Sequence, residues 1–206
     1  MKVLTLYHPY PELIALEEKT NETRSWYTDY RGPLAIHVAT SRKPWHMDLA
    51  FKEPFFSALK PLHREFTNTE GKKSIGMRLH LGQIIAICNL TDCLYIAKDG
   101  LFKFDPKAKI KIGELVSPLP TGSELIFGDY SPGRFAWTLS DAHRLKEPIL
   151  VKGRQRIWNW DEAPHLVTID PYVLGDTAIW TPKGIQKGKI VKPGREDAVS
   201  GLEVVA

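Results

Sequence analysis

The sequence predicts an α+β fold: a small, partly open β-barrel with helices at its ends. Three observations lead there. Short apolar or alternating runs recur at irregular spacing, at residues 2–7, 34–39, 83–91, 134–139 and 157–160. One helix signal comes early, and one broader helical region follows the second run. Regular strand–helix alternation is absent, and so are the Gly-x-Gly-x-x-Gly turn and the phosphate loop of a parallel nucleotide-binding sheet.

Taken in order, Lys2-Val3-Leu4-Thr5-Leu6-Tyr7 alternates and is rich in strand formers, so it reads as a first strand and not as a secretion signal. Pro9 or Pro11 suits the first turn of a helix, where a missing N–H costs nothing, and Leu13, Ile14 and Leu16 supply its apolar stripe. Residues 21–26 alternate again, putting Glu22, Arg24 and Trp26 on one face. After the Gly32-Pro33 break, residues 34–39 form a strand buried on both faces. Residues 41–66 read as an interrupted helical insertion, broken by Pro54 and Pro61, and residues 67–73 as a polar loop. The strand at 83–91 extends toward Tyr95-Ile96, residues 98–120 read as a loop-rich excursion, and residues 134–139 and 157–160 close the sheet. Beyond Asp161 the periodicity fades, so the domain is expected over residues 1–160, with a C-terminal extension at 161–206 that pairs one or two short strands.

At 206 residues, 43% apolar and 25% charged, the chain can bury a core. No stretch approaches the ~18 uninterrupted apolar residues of a membrane span. Cys88 and Cys93 are the only cysteines, which excludes a disulfide framework and fits a reducing cytoplasm. Without Cys-x-x-Cys or His-x-x-x-His, neither a metal nor another cofactor is expected. Residues 161–206 hold five Lys or Arg and seven Asp or Glu, a net of −2, so residues 1–160 hold +6 against the whole chain's +4. A basic body favours anionic partners, nucleic acid first among them.

The densest chemistry is Lys19-x-x-Glu22-x-Arg24-x-Trp26. Arg24 offers a forked pair of donors for a phosphate or base edge, Glu22 can orient it, and Trp26 offers a stacking face or a seal for the barrel. A solvated Glu22–Arg24 surface pair is the plain alternative. His37, mid-strand among apolar residues, is either a satisfied core histidine or a cleft-lining group that moves a proton near neutral pH. Tyr130 and Arg134 sit in a Gly-rich turn cluster and offer stacking and phosphate contacts. Lys152, Arg154 and Arg156 alternate toward Trp158, as a solvated edge or as a phosphate-tracking stripe. Ser140-Asp141-x-His143 holds triad residue types, but adjacency in sequence is not triad geometry.

These segments together resemble the ASCH domain (activating signal cointegrator homology) of the PUA-like superfamily. The run from Glu17 to Arg24 is similar to its Gly-x-Lys-x-x-Glu-x-Arg signature, with Glu17 where glycine is usual. His8-Pro9-Tyr10 resembles the Pro-Tyr box of the family's longer branch, and Ile36-His37-Val38-Ala39 its Ile-His strand. Gly82-Gln83-Ile84-Ile85-Ala86, Phe135-Ala136-Trp137 and residues 153–158 resemble its later strands, so the likeness covers about residues 2–160. It implies a PUA-like barrel whose cleft lies beside the first helix and the signature turn. With the residues singled out by their chemistry, the expected ligand-binding set is Tyr10, Lys19, Glu22, Arg24, Trp26, His37, Tyr130, Arg134 and Arg154. It also implies RNA or a modified nucleotide or nucleoside as ligand. Some small members hydrolyse N-acetylcytidine and others are reported as ribonucleases. In the amidohydrolases a threonine follows the lysine by three residues; here Glu22 takes that place beside Lys19. A binding module is therefore the first reading. A hydrolase using Lys19 as charge stabiliser and Glu22 as base is the second, and a protein adaptor using the helical insertion the third.

Overall fold

A computed structural model describes residues 1–41, 44–67, 73–161, 177–181 and 184–188. Its elements run β1 (Lys2–Leu6), α1 (Tyr10–Ala15), β2 (Asn21–Arg24), β3 (Gly32–Val38), α2 (Pro44–Leu49), α3 (Phe55–Ala58), β4 (His63–Thr67) and β5 (Lys73–Met77). They continue with β6 (Gln83–Ile96), β7 (Leu101–Phe104), β8 (Ile112–Ser117), α4 (Gly122–Ile126), β9 (Phe135–Leu150), β10 (Ile157–Asn159), β11 (Thr177–Thr181) and β12 (Gly184–Gly188). The protein is α+β, mostly sheet, and no helix among the described residues is long and apolar enough to cross a membrane.

Eight strands form one mixed sheet in the order β10-β1-β3-β6-β7-β8, with β9 also on β6 and β2 on β9. β1 and β3 pair in parallel; the other pairings of this sheet are antiparallel. The parallel step requires a crossover, and α1 with β2 supplies it. The 14-residue β6 and 16-residue β9 form the spine. Their register shifts between Ile84 and Ala86, Ile87 and Asn89, and Leu90 and Asp92. Such bulges add twist and bend. The sheet consequently curls about one core, in which Leu4, Ile36, Cys88, Leu139 and the fully buried Trp137 meet Trp26 and Ile157 from opposite edges.

The curl does not become a closed barrel. Among the described residues β2 pairs only with β9 and β10 only with β1, so the two edges face each other unbonded. β2 has four residues and β10 three, so both edges are short.

Several expectations are corrected by pairings that leave little hydrophobic trace. Residues 98–120 contain the β7–β8 hairpin, not a loop. Phe104 anchors it, packing on Tyr95 and Phe135, whereas β8 is an almost wholly exposed edge strand held by its ladder. β9 runs on through the polar residues 140–150 because β6 brings the apolar side chains to that pairing. The helical insertion is shorter than expected: His63–Thr67 and Lys73–Met77 pair as an antiparallel hairpin, so the supposed loop ends are strand. Of the C-terminal extension, the structure describes β11 and β12, which pair as a hairpin; Asp161 apart, its other residues lie outside the described ones.

Candidate functional site

The site begins where α1 stops. Glu17 N–H donates to Ile14 O and Glu18 N–H to Leu13 O, both at 3.0 Å, a paired closure that places Glu17 in the left-handed region at φ 60°. Glycine enters that region freely, and other residues at a cost. Glu17 gains a compensating contact, since its Oε1 accepts from Ala142 N–H at 3.3 Å.

The reversal carries Lys19 inward. Its side chain is 1% exposed; Nζ donates to Asn21 O, lies 3.7 Å from Glu22 Oε2, and sits 5.9 Å from the Tyr10 ring centre. Burial pulls the Lys19 pKa below its usual 10.5, opposed chiefly by the Glu22 charge. Tyr10 is shifted upward by burial and then by Glu22. On the facing side α4 clamps the turn: Glu124 accepts from Thr20 N–H at 2.8 Å and Asn21 N–H at 3.1 Å, and Tyr130 Oη–H donates to it at 2.8 Å.

β2 turns Glu22 and Arg24 toward the curl's interior, because their cross-strand partners are the core residues Trp137 and Phe135. Arg24 Nε lies 3.1 Å from Glu22 Oε1, an ion pair by proximity in which Nε–H makes no hydrogen bond. Trp26, just past the strand, stands edge-on to Trp137 with centroids 4.6 Å apart.

Arg24 and Trp26 then form one wall of an open cleft of about 300 Å³ between the unbonded edges. Thr5, Leu6, Tyr7 and Ala39 floor it, and Arg154, Gln155 and Arg156 form the other wall. Arg156 lies 5.7 Å above the Trp26 ring and Arg154 5.9 Å above Trp158, both within cation–π range. Among the described residues the lining holds three guanidinium groups and no carboxylate. This composition suits an anionic ligand with a flat face.

The structure thus brings Arg24, Trp26 and Arg154 together at the cleft and sets the buried Lys19 and Glu22 and the half-buried Tyr10 apart from its lining. The other expected residues lie elsewhere. His37 is 1% exposed, its Nε2 is 3.0 Å from Val151 O, and its ring packs beneath Gly153. Burial lowers its pKa, with hydrogen bonding to Val151 opposing. Tyr130 is buried beside Leu94 and Leu101, and burial followed by the Glu124 charge raises its pKa. Arg134 donates from Nε to Asp129 O at 3.0 Å and pairs with Asp129 Oδ2 at 3.3 Å, so it secures the 129–134 turn. The glutamate clamp at Glu124 and the Gln155 wall had no signal in the sequence, since each acts across a long chain separation. Among the described residues no group of three or more His, Cys, Asp or Glu is placed to hold a metal ion. No protein-family model matches this chain, and a search of the curated proteins returns no match.

Proposed function

We propose that the protein is an ASCH-like module of PUA-like fold that binds single-stranded RNA or a modified nucleotide in the cleft between its sheet edges. The observation that carries this reading is the convergence of Arg24, Arg154 and Arg156 around the Trp26 indole, with no acid in the lining. Guanidinium groups keep their charge at any working pH and grip phosphate oxygens in forked pairs. A base replaces Arg156 on the indole face, and the displaced guanidinium meets the flanking phosphate. Burial of the Trp26 edge against Trp137 holds the ring still, so stacking costs little ordering. The cleft lies at the low end of the ~300–1,000 Å³ range of small-ligand sites, enough for one nucleotide with the strand continuing outside.

The turn at residues 17–24 supports the family reading. Glu17 takes the left-handed conformation at the position where the ASCH signature has glycine. Lys19 donates to Asn21 O from a buried position, and Glu22 lies between Lys19 and Arg24. Neither charge is presented to the cleft as a catalytic pair, which favours holding a ligand over cleaving it.

The test is binding of a short single-stranded RNA across a salt series. Affinity falls linearly on log–log axes, and Arg154→Ala lowers the slope by about one unit, as loss of one phosphate contact requires. Acetylated cytidine mixed with the same protein binds without releasing acetate. Absence of RNA binding at low salt, or turnover abolished by Lys19→Ala, overturns the proposal.

A further inference from the structure

A second cavity, of about 420 Å³, opens beside α1 and uses none of the residues of the first. Three separate parts of the chain send cations into it. Arg64 comes from β4, Arg78 follows β5, and Arg144 and Lys146 are alternate residues of β9 and so share a face. His80 joins them, its Nδ1 3.0 Å from Gln83 Oε1. Burial chiefly lowers the His80 pKa; the Gln83 contact and the Glu12 charge oppose it, and the charges of Arg78 and Arg144 add to the lowering.

Against this stands one acid. Glu12, on α1, lines the same cavity with a side chain only 2% exposed. Its Oε1 lies 3.0 Å from His8 Nδ1 outside hydrogen-bond geometry, and neither carboxylate oxygen accepts a hydrogen bond. A buried carboxylate paired with His8 by proximity alone, and accepting no hydrogen bond, is costly.

The cavity therefore combines four cations with one buried acid. Four cations would suit any polyphosphate, but Glu12 repels one that fills the whole space. A ligand must place its negative charge among Arg64, Arg78, Arg144 and Lys146 and a neutral hydrogen-bond donor against Glu12. We infer that this cavity binds a nucleoside polyphosphate, its phosphates held by the β4, β5 and β9 cations and its base or ribose donating to Glu12. The volume falls within the range of sites that enclose a small ligand.

Calorimetric titration of the full chain with ATP and GTP tests the inference, beside tripolyphosphate, the unphosphorylated nucleosides and an RNA strand lacking terminal phosphates. A nucleoside triphosphate should bind more tightly than either tripolyphosphate or the nucleoside alone. Arg78→Ala and Lys146→Ala, both exposed side chains whose loss leaves the core intact, should each weaken it about tenfold. Glu12→Gln should tighten tripolyphosphate, by removing repulsion, while weakening the nucleotide. Arg154→Ala, in the first cleft, should change none of these constants, so failure here is separable from failure of the RNA proposal. The inference is overturned by no nucleotide binding, by tripolyphosphate as tight as the nucleotide, or by nucleotide binding that ignores Arg78 and Lys146. RNA binding that needs Arg78 without any nucleotide binding also overturns it, in favour of a phosphodiester surface.

Discussion

Arg156 and Trp26 face each other across the unbonded gap of the sheet, with the guanidinium carbon 5.7 Å from the indole centre. They connect the segment before β10 to the end of β2, which no ladder hydrogen bond does among the described residues. Arg156 holds a left-handed φ of 60°, a conformation glycine adopts without cost. Arg156→Ala should therefore lower stability by under ~1 kcal/mol, the loss of an exposed cation–π contact. Arg156→Gly should offset that loss through the relaxed backbone, and both should weaken RNA binding alike. Urea midpoints and RNA titration of the two variants check this; retention of full RNA affinity in both would show that the contact is only structural.

Glu17 makes a related prediction at the end of α1. Glu17→Ala keeps the left-handed strain and loses the bond from Ala142 N–H, so it should cost ~0.5–1.5 kcal/mol. Glu17→Gly loses the same bond but gains the conformational freedom, and should be the more stable of the two by ~1 kcal/mol. Equal stabilities by chemical denaturation would mean that the closure of α1 is not under strain.

Gly153 and His37 test the structural role of the histidine. A Cβ on Gly153 would stand 2.4 Å from His37 Cε1, closer than packed atoms allow. Gly153→Ala should cost ~1–3 kcal/mol by overpacking, and most of that cost should vanish in a His37→Ala background. A cost unchanged by His37→Ala would place the clash elsewhere.

These sites show what the sequence can and cannot disclose. Alternation in residues 2–7 and the apolar run at 83–91 made β1 and β6 legible, and the Glu22–Arg24 pairing followed from strand period alone. β8 was not legible, because an exposed edge strand needs no hydrophobic pattern when its partner supplies the ladder. Where the sheet stays open was not legible for the opposite reason: strand signals say nothing about whether edges as short as β2 and β10 meet. At the site, Arg24, Trp26 and Arg154 were found by residue type. Their separation from His37, Tyr130 and Arg134 depends on the register of β3 and on the 129–134 turn, which only the folded chain reveals.

The buried Lys19 predicts a pH dependence. Its folded pKa is below 10.5, so between that lowered value and 10.5 the unfolded chain binds more protons and stability rises with pH. Below the window, Lys19 imposes a constant cost for burying its ammonium. Lys19→Met removes both the cost and the rise, leaving Glu22 paired with Arg24. Its stability relative to the native chain should be highest at neutral pH and shrink as pH approaches 10.5. Denaturation curves that stay parallel across that range would contradict the burial of a charged Lys19.

The placement of the RNA is most directly read by photo-cross-linking. A short strand carrying 4-thiouridine is irradiated with the full chain at low salt, and the adducts are mapped by mass spectrometry. The cleft between the sheet edges predicts adducts on the peptides bearing Trp26 and residues 154–156, lost on competition with unlabelled strand and reduced in Arg154→Ala. Adducts confined to the flank of α1 at Arg64, Arg78 and Lys146, or scattered over exposed lysines with no competition, would contradict the assignment of that cleft as the nucleic-acid site.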